Sequence, residues 1–209
     1  MVLTDRALAG AAGRSVEETV AAALDGGAGA VLLREKDLGR GERDELARAL
    51  RALTTAAGAR LVVASDVAVA LDCGADGVHL AADDPWPGAG SAARLAVGRS
   101  CHFRDELVAA ARSGAAWATF SPVFASPSKP GYGPLLGLDG LAAGCRVEPD
   151  LPVLALGGVG PANADRCVAA GAAGVAVMGA VMSADDPAAV VRRLVAAVPR
   201  SPRREDAER

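Results

Sequence analysis

The chain has 209 residues and a formal charge of −3, with 51% apolar residues but only 3% aromatics. This length suits one α/β domain or a short α/β barrel, and the alanine-rich apolar content suits helices packed closely on a Val/Leu sheet. There is no basic excess to suggest a nucleic-acid partner, and no run approaches the 18 or so apolar residues of a membrane span.

Met1-Val-Leu-Thr-Asp5 has no charged region followed by a signal-peptide core. The four cysteines (Cys73, Cys101, Cys145, Cys167) show no CxxC spacing and read as reduced thiols, so a cytoplasmic protein is expected. Residues 1–200 are expected to form one domain. Ser201 to Arg209 is charged, lacks apolar anchors, and is expected to be a frayed tail.

In chain order, Val2-Leu3 reads as a short strand ending in Asp5. Ser15-Val-Glu-Glu18 has the capping-box pattern and opens a helix stopped at Gly26-Gly27. Ala30-Val-Leu-Leu33 is a continuous apolar run, as parallel strands buried on both faces are. A helix from about Gly41 to Ala57 follows, with Leu46, Leu50 and Leu53 in register. Leu61 to Ala64 is the third strand, ending in Ser65-Asp66, and a short helix covers Val67 to Leu71. Val78-His-Leu80 is the fourth strand, running out at Asp83-Asp84. After a weak helix at Ala92 to Leu95, a fifth strand ends at Ser100-Cys-His102, and Phe103 to Ser113 is helical. Trp117 to Phe124 holds the sixth strand, and a weakly signalled helix spans Asp139 to Cys145. Val153 to Leu156 is the seventh strand, ending in Gly157-Gly158, with a helix begun by Pro161. Val175 to Met178 is the eighth, ending in Gly179. Asp186-Pro187 opens the last helix. Eight strands alternating with helices are the signature of a single (β/α)8 TIM barrel, and no GxGxxG after the first strand supports a doubly wound sheet.

Active sites of this fold lie where strands end and loops begin. Polar residues concentrate there: Asp5, Arg34 with Lys36, Ser65 with Asp66, Asp83 with Asp84, Ser100 with His102, and Ser126 with Ser128 and Lys129. Strands seven and eight end instead in glycines, which suits a phosphate held by backbone N–H groups. The cations Arg34, Lys36 and Lys129 exceed the need of one such phosphate and suggest a second, more highly charged group such as a pyrophosphate. Asp84 and Asp66 would then hold a Mg2+ bridging it, although Asp66 also stands where a helix begins and suits a cap. His79 is mid-strand and reads as a packing residue. His102 is the better placed histidine and a candidate for substrate binding. Cys101 faces away from its neighbours and reads as helix-facing. No Ser-His-Asp, HExxH or P-loop pattern is present.

These residues resemble the thiamine phosphate synthase and TenI superfamily of (β/α)8 barrels over nearly the whole chain. The matching motifs are Leu33-Arg-Glu-Lys36, Gly74-Ala-Asp-Gly-Val-His-Leu80, Gly98-Arg-Ser-Cys-His102, Ser121-Pro-Val-Phe124 through Lys129, Ala155-Leu-Gly-Gly-Val159 and Gly171 to Met178. The resemblance implies an enzyme joining hydroxymethylpyrimidine pyrophosphate to thiazole phosphate, with Mg2+-assisted loss of pyrophosphate to a pyrimidinyl-methyl cation that the thiazole nitrogen attacks. It places Arg34, Lys36, Ser100 and Lys129 on the pyrimidine pyrophosphate and Asp84 on a metal-ligand position. Ser126, Pro127 and Ser128 fall on the thiazole phosphate loop, and Gly158, Met178 and Gly179 on its backbone cradle. The partners implied are two small phosphorylated substrates; the oligomeric state, a homo-oligomer included, is left open.

The chain departs from the synthase pattern at Leu32, where Gln is usual, and at Ala64-Ser65, where Asn-Asp is usual, with Asp66 one residue late. The sister tautomerases bind a thiazole carboxylate phosphate without a pyrophosphate site, but their catalytic His is here Pro122. A tautomerase using another acid/base such as His102, and a non-catalytic thiazole or thiamine phosphate binder, are therefore the alternatives.

Overall fold

The computed structural model describes residues 1–126, 131 and 133–198. Eight parallel strands follow in sequence order around the sheet: β1 (Val2–Leu3), β2 (Ala30–Leu33), β3 (Arg60–Ala64), β4 (Gly77–Leu80), β5 (Ala96–Cys101), β6 (Trp117–Phe120), β7 (Val153–Ala155) and β8 (Gly174–Val175). Beyond β8, Val177 forms a parallel bridge with Val2, and Leu3 N donates to Val177 O at 2.8 Å. The first and last strands therefore meet, and the sheet has no open edge.

The helices are α1 (Arg6–Ala11), α2 (Val16–Asp25), α3 (Arg40–Ala56), α4 (Val67–Asp72), α5 (Ala89–Ala92), α6 (Arg104–Arg112), α7 (Gly137–Val147), α8 (Ala164–Ala169), α9 (Gly179–Met182) and α10 (Pro187–Ala197). The capping box at Ser15 and Glu18 is formed in both directions. Asp186 caps α10 through Ala189 N, with Pro187 in the first turn. Two short helices were not expected from the sequence. One is α1, capped by the Asp5 side chain on Leu8 N, and the other is α9, a single turn directly after β8. The start expected at Pro161 shifts, since α8 begins at Ala164 after a turn.

Strand alternation sorts the apolar residues into two layers. Val31, Leu33, Leu61, Val63, Val78, Val97 and Phe120 face the helices in one continuous core. Leu3, Leu32, Val62, Ala64 and Ala176 fill the barrel interior, packed with Trp117, Leu154 and Met178. Trp117 needs more room than a barrel layer normally gives one side chain. Gly98, its registered partner on β5, supplies the room: a Cβ there would lie 2.2 Å from the indole. The indole thus reaches across β5 and stacks against His79 of β4, with ring centroids 6.0 Å apart and planes 15° apart. This aromatic floor closes the interior below the strand ends. Cys101 is fully buried in the helix-facing core, as expected, and all four cysteines are free thiols.

Candidate functional site

A cavity of about 630 Å³ opens at the C-terminal ends of the strands. Among the residues singled out in the sequence, Arg34, His102, Ser126, Gly158, Met178 and Gly179 line it together. The walls are the ends of β6, β7 and β8 and the turn before α8.

The β7 end is built from glycine because no other residue fits. Gly157 and Gly158 have φ of +93° and +61°, and a Cβ on Gly158 would stand 2.3 Å from Ala125 O. The loop after β6 is thereby pressed onto the loop after β7. Asn163 fixes the turn that follows, accepting from Gly160 N at 2.9 Å and donating to Gly158 O at 3.0 Å. Sequence reasoning missed Asn163; its signal was an Asn at the N-cap position next to Gly-Pro-Ala. Among the described residues, no acceptor is recorded for the backbone N–H of Gly158, Met178 or Gly179. A rim with such donors, two of the three on glycines, is suited to an anion.

Arg34 stands at the end of β2, its own N–H donating to the fully buried Thr4 Oγ1 at 2.9 Å. It lines both this cavity and a second of about 590 Å³, where Lys36 also lies. The loop carrying Lys36 is held from outside by Arg43 of α3, whose guanidinium donates to the carbonyls of Glu35, Lys36 and Leu38. Glu35 is buried and accepts from Arg6 N at 3.1 Å. Arg43 is thus a further residue the sequence did not single out.

Arg43 also decides what Asp66 does. One Asp66 oxygen accepts from Val69 N at 3.0 Å, capping α4, and the other pairs with Arg43 at 3.1 Å. Both carboxylate oxygens are thus engaged, one by the helix start and the other by its neighbour Arg43, so the capping role expected for Asp66 is filled. Ser65, one residue earlier, has a φ of 61°, the left-handed conformation uncommon outside glycine. Asp84 is half-buried in the loop after β4, where one oxygen accepts from Ala81 N at 2.7 Å. Arg99 holds that loop by donating to Ala81 O, Ala82 O and Asp84 O, and lies 5.4 Å over the Trp86 ring. Among the described residues, no group of three or more His, Cys, Asp or Glu side chains gathers at one point.

His102 lines the cavity wall and donates from Nδ1 to Ser121 O at 2.9 Å. Ser100 lies deeper, its Oγ 3.0 Å from His79 Nε2. His79 is 5% exposed, and burial lowers its pKa from 6.5 to about 4, helped by the nearby Arg99 and Lys36 and opposed by Asp84. The Cys101 thiol is pushed up to about 12, chiefly by burial, and has no nucleophilic character. Pro127, Ser128 and Lys129 lie outside the described residues.

Residues 1–181 match the model of the family described as thiamine monophosphate synthase. The thiamine-phosphate synthase of Roseiflexus castenholzii is 44% identical, with 92% of this chain and 85% of the relative aligned. That of Chloroflexus aurantiacus is 42% identical over 94% of this chain and 91% of the relative. Among solved structures, a thiamine phosphate pyrophosphorylase from Pyrococcus furiosus superposes with a TM-score of 0.81 at 32% identity, covering 94% of this chain and 93% of that one. With an eight-stranded closed sheet, a glycine-rimmed cavity at its strand ends and this likeness along the chain, the protein belongs to the thiamine monophosphate synthase family.

Proposed function

We propose that the protein is a thiamine phosphate synthase, joining a hydroxymethylpyrimidine pyrophosphate to a thiazole phosphate with release of pyrophosphate. The observation that carries this reading is the single cavity gathering Arg34, His102, Ser126, Gly158, Met178 and Gly179. The thiazole phosphate takes the glycine-rimmed side, where the N–H groups of Gly158, Met178 and Gly179, with Ser126, Pro127 and Ser128 of the β6 loop, surround the anion. The pyrimidine pyrophosphate takes the side of Arg34, Lys36, Ser100 and Lys129. Arg34, shared by the two cavities, sits where both anionic groups converge.

The reaction needs no protein nucleophile. The C–O bond to pyrophosphate breaks, the electron pair leaves with the pyrophosphate oxygen, and the thiazole nitrogen closes the new C–N bond. What the protein supplies is charge for the leaving group and alignment of the two substrates. Arg34, Lys36 and Lys129 bind and orient the pyrophosphate, and Arg43 and Glu35 hold the loop that presents two of them.

Mg2+ fits the donors present with Asp84 as its one carboxylate, since Mg2+ takes one or two carboxylates together with substrate phosphates and water. When bound it supplies charge neutralisation of the departing pyrophosphate. Asp66 is not assigned as a ligand, because its oxygens serve the helix cap and Arg43.

Turnover with both phosphorylated substrates and Mg2+ tests this. Thiamine phosphate is the expected product, with Arg34→Ala losing about a hundredfold in kcat/KM, as for a charged contact at a reacting group. Product formation unaffected by that change would remove Arg34 from the site. Isomerisation of a thiazole carboxylate phosphate instead would move the chemistry to His102, the imidazole in the cavity wall.

A further inference from the structure

Beneath the cavity, a polar cluster crosses three neighbouring strands inside an otherwise apolar barrel. His79 of β4, Ser100 of β5 and Thr119 of β6 face inward, and one ring nitrogen serves both hydroxyls: Nε2 lies 3.0 Å from Ser100 Oγ and 3.2 Å from Thr119 Oγ1. Thr119 is fully buried. The other ring nitrogen, Nδ1, is buried and has no hydrogen-bond partner among the described residues. Trp117 stacks on the ring and holds its plane.

The lone nitrogen settles which way the hydrogen bond runs. The ring is neutral at pH 7, because burial lowers its pKa to about 4, so one nitrogen carries a proton and the other a lone pair. A buried N–H without an acceptor is rarer than an under-used acceptor. The proton therefore sits on Nε2, where two oxygens can accept it, and Nδ1 keeps the lone pair. Nε2–H then donates and Ser100 Oγ accepts. The Ser100 hydroxyl proton is not spent on the ring, and no acceptor for it is recorded among the described residues. Phosphate oxygens accept hydrogen bonds, so a serine fixed as an outward donor is the useful state and a serine spent on the imidazole is not.

We propose that His79 is a positioning residue that acts through Ser100, fixing its hydroxyl as a donor toward the pyrophosphate of the pyrimidine substrate. This rests on the assignment of Ser100 to that substrate. The orientation is set by tautomer and stacking, not by charge.

Four variants test it by steady-state kinetics with each substrate varied in turn. Gln places its amide NH2 near the position of Nε2, and Asn places it near Nδ1. His79→Gln is expected to keep KM for the pyrimidine pyrophosphate within about threefold, and His79→Asn to raise it about tenfold, the scale of one hydrogen bond to a charged group. Ser100→Ala is expected to raise it about tenfold as well, and His79→Asn combined with Ser100→Ala no further. KM for the thiazole phosphate stays unchanged throughout, which a general loosening of the barrel would not give. Equal effects of Gln and Asn, or effects of His79→Asn and Ser100→Ala that multiply, overturn the role of His79 alone. An unchanged KM in Ser100→Ala overturns the Ser100 assignment and the role of His79 together.

Discussion

The two aspartates expected from the sequence to hold Mg2+ have different employment. Asp66 is a helix cap held by Arg43, while Asp84 has one oxygen on Ala81 N and sits in a loop braced by Arg99. Asp66→Asn keeps a capping side chain and loses only the ion pair, so stability should fall by no more than about 1 kcal/mol, with no change in the Mg2+ concentration for half-maximal rate. Asp84→Asn should raise that concentration tenfold or more. Titration of rate against Mg2+ for the two variants checks this, and equal shifts would return Asp66 to the metal site. The sequence placed both acids at strand ends but could not show Arg43, 23 residues away from Asp66, closing on the carboxylate.

His79 carries a pH prediction at the same scale. Its folded pKa of about 4 lies below its ordinary 6.5, so between those values the unfolded chain binds a proton that the folded one refuses. The contribution of His79 to stability is thus complete above pH 6.5 and lost as the pH falls toward 4, amounting to about 3 kcal/mol. Arg99 and Lys36 reinforce the shift and Asp84 opposes it, but burial is the largest cause. Denaturant unfolding from pH 4 to 7 should show this limb in the parent chain and a shallower one in His79→Gln. Parallel curves would mean that the ring is not neutral and buried in the folded state. Sequence reading recognised a packed histidine. It missed the hydroxyl network because Thr119 is 40 residues away and joins only through strand alternation.

At the scale of elements, the strands were legible because a parallel strand covered on both faces is a bare apolar run. Ala30–Leu33 and Val153–Ala155 show this directly. The helices α1 and α9 were missed, although α4, no longer than α1, was read. The glycine loop after β7 was read as a phosphate cradle, and its geometry explains why it must be glycine. Gly158→Ala forces a Cβ toward Ala125 O at φ +61°. It should cost about 1–3 kcal/mol and raise KM for the thiazole phosphate tenfold or more while leaving KM for the pyrimidine substrate nearly unchanged. Thermal melts and substrate-varied kinetics separate the two effects. Gly98→Ala makes the converse case: the clash is with Trp117 below the site. A loss of about 1–3 kcal/mol by overpacking is expected, with a reduced near-UV signal from the indole. An unperturbed melt would show that the floor has slack.

For the whole molecule, a closed barrel brings loops far apart in the chain to one rim. Arg34 after β2, His102 after β5, Ser126 after β6, Gly158 after β7 and Gly179 after β8 meet there. The periodicity of the sequence gave the barrel, and the barrel placed the rim; which polar residues were spent on structure was settled only by their neighbours in space. What leaves the site identifies the reaction. With hydroxymethylpyrimidine pyrophosphate, thiazole phosphate and Mg2+, the protein is expected to form thiamine phosphate and free pyrophosphate in a one-to-one ratio, each requiring both substrates. Tight thiazole phosphate binding with no thiamine phosphate, or isomerisation of thiazole carboxylate phosphate in its place, would contradict it.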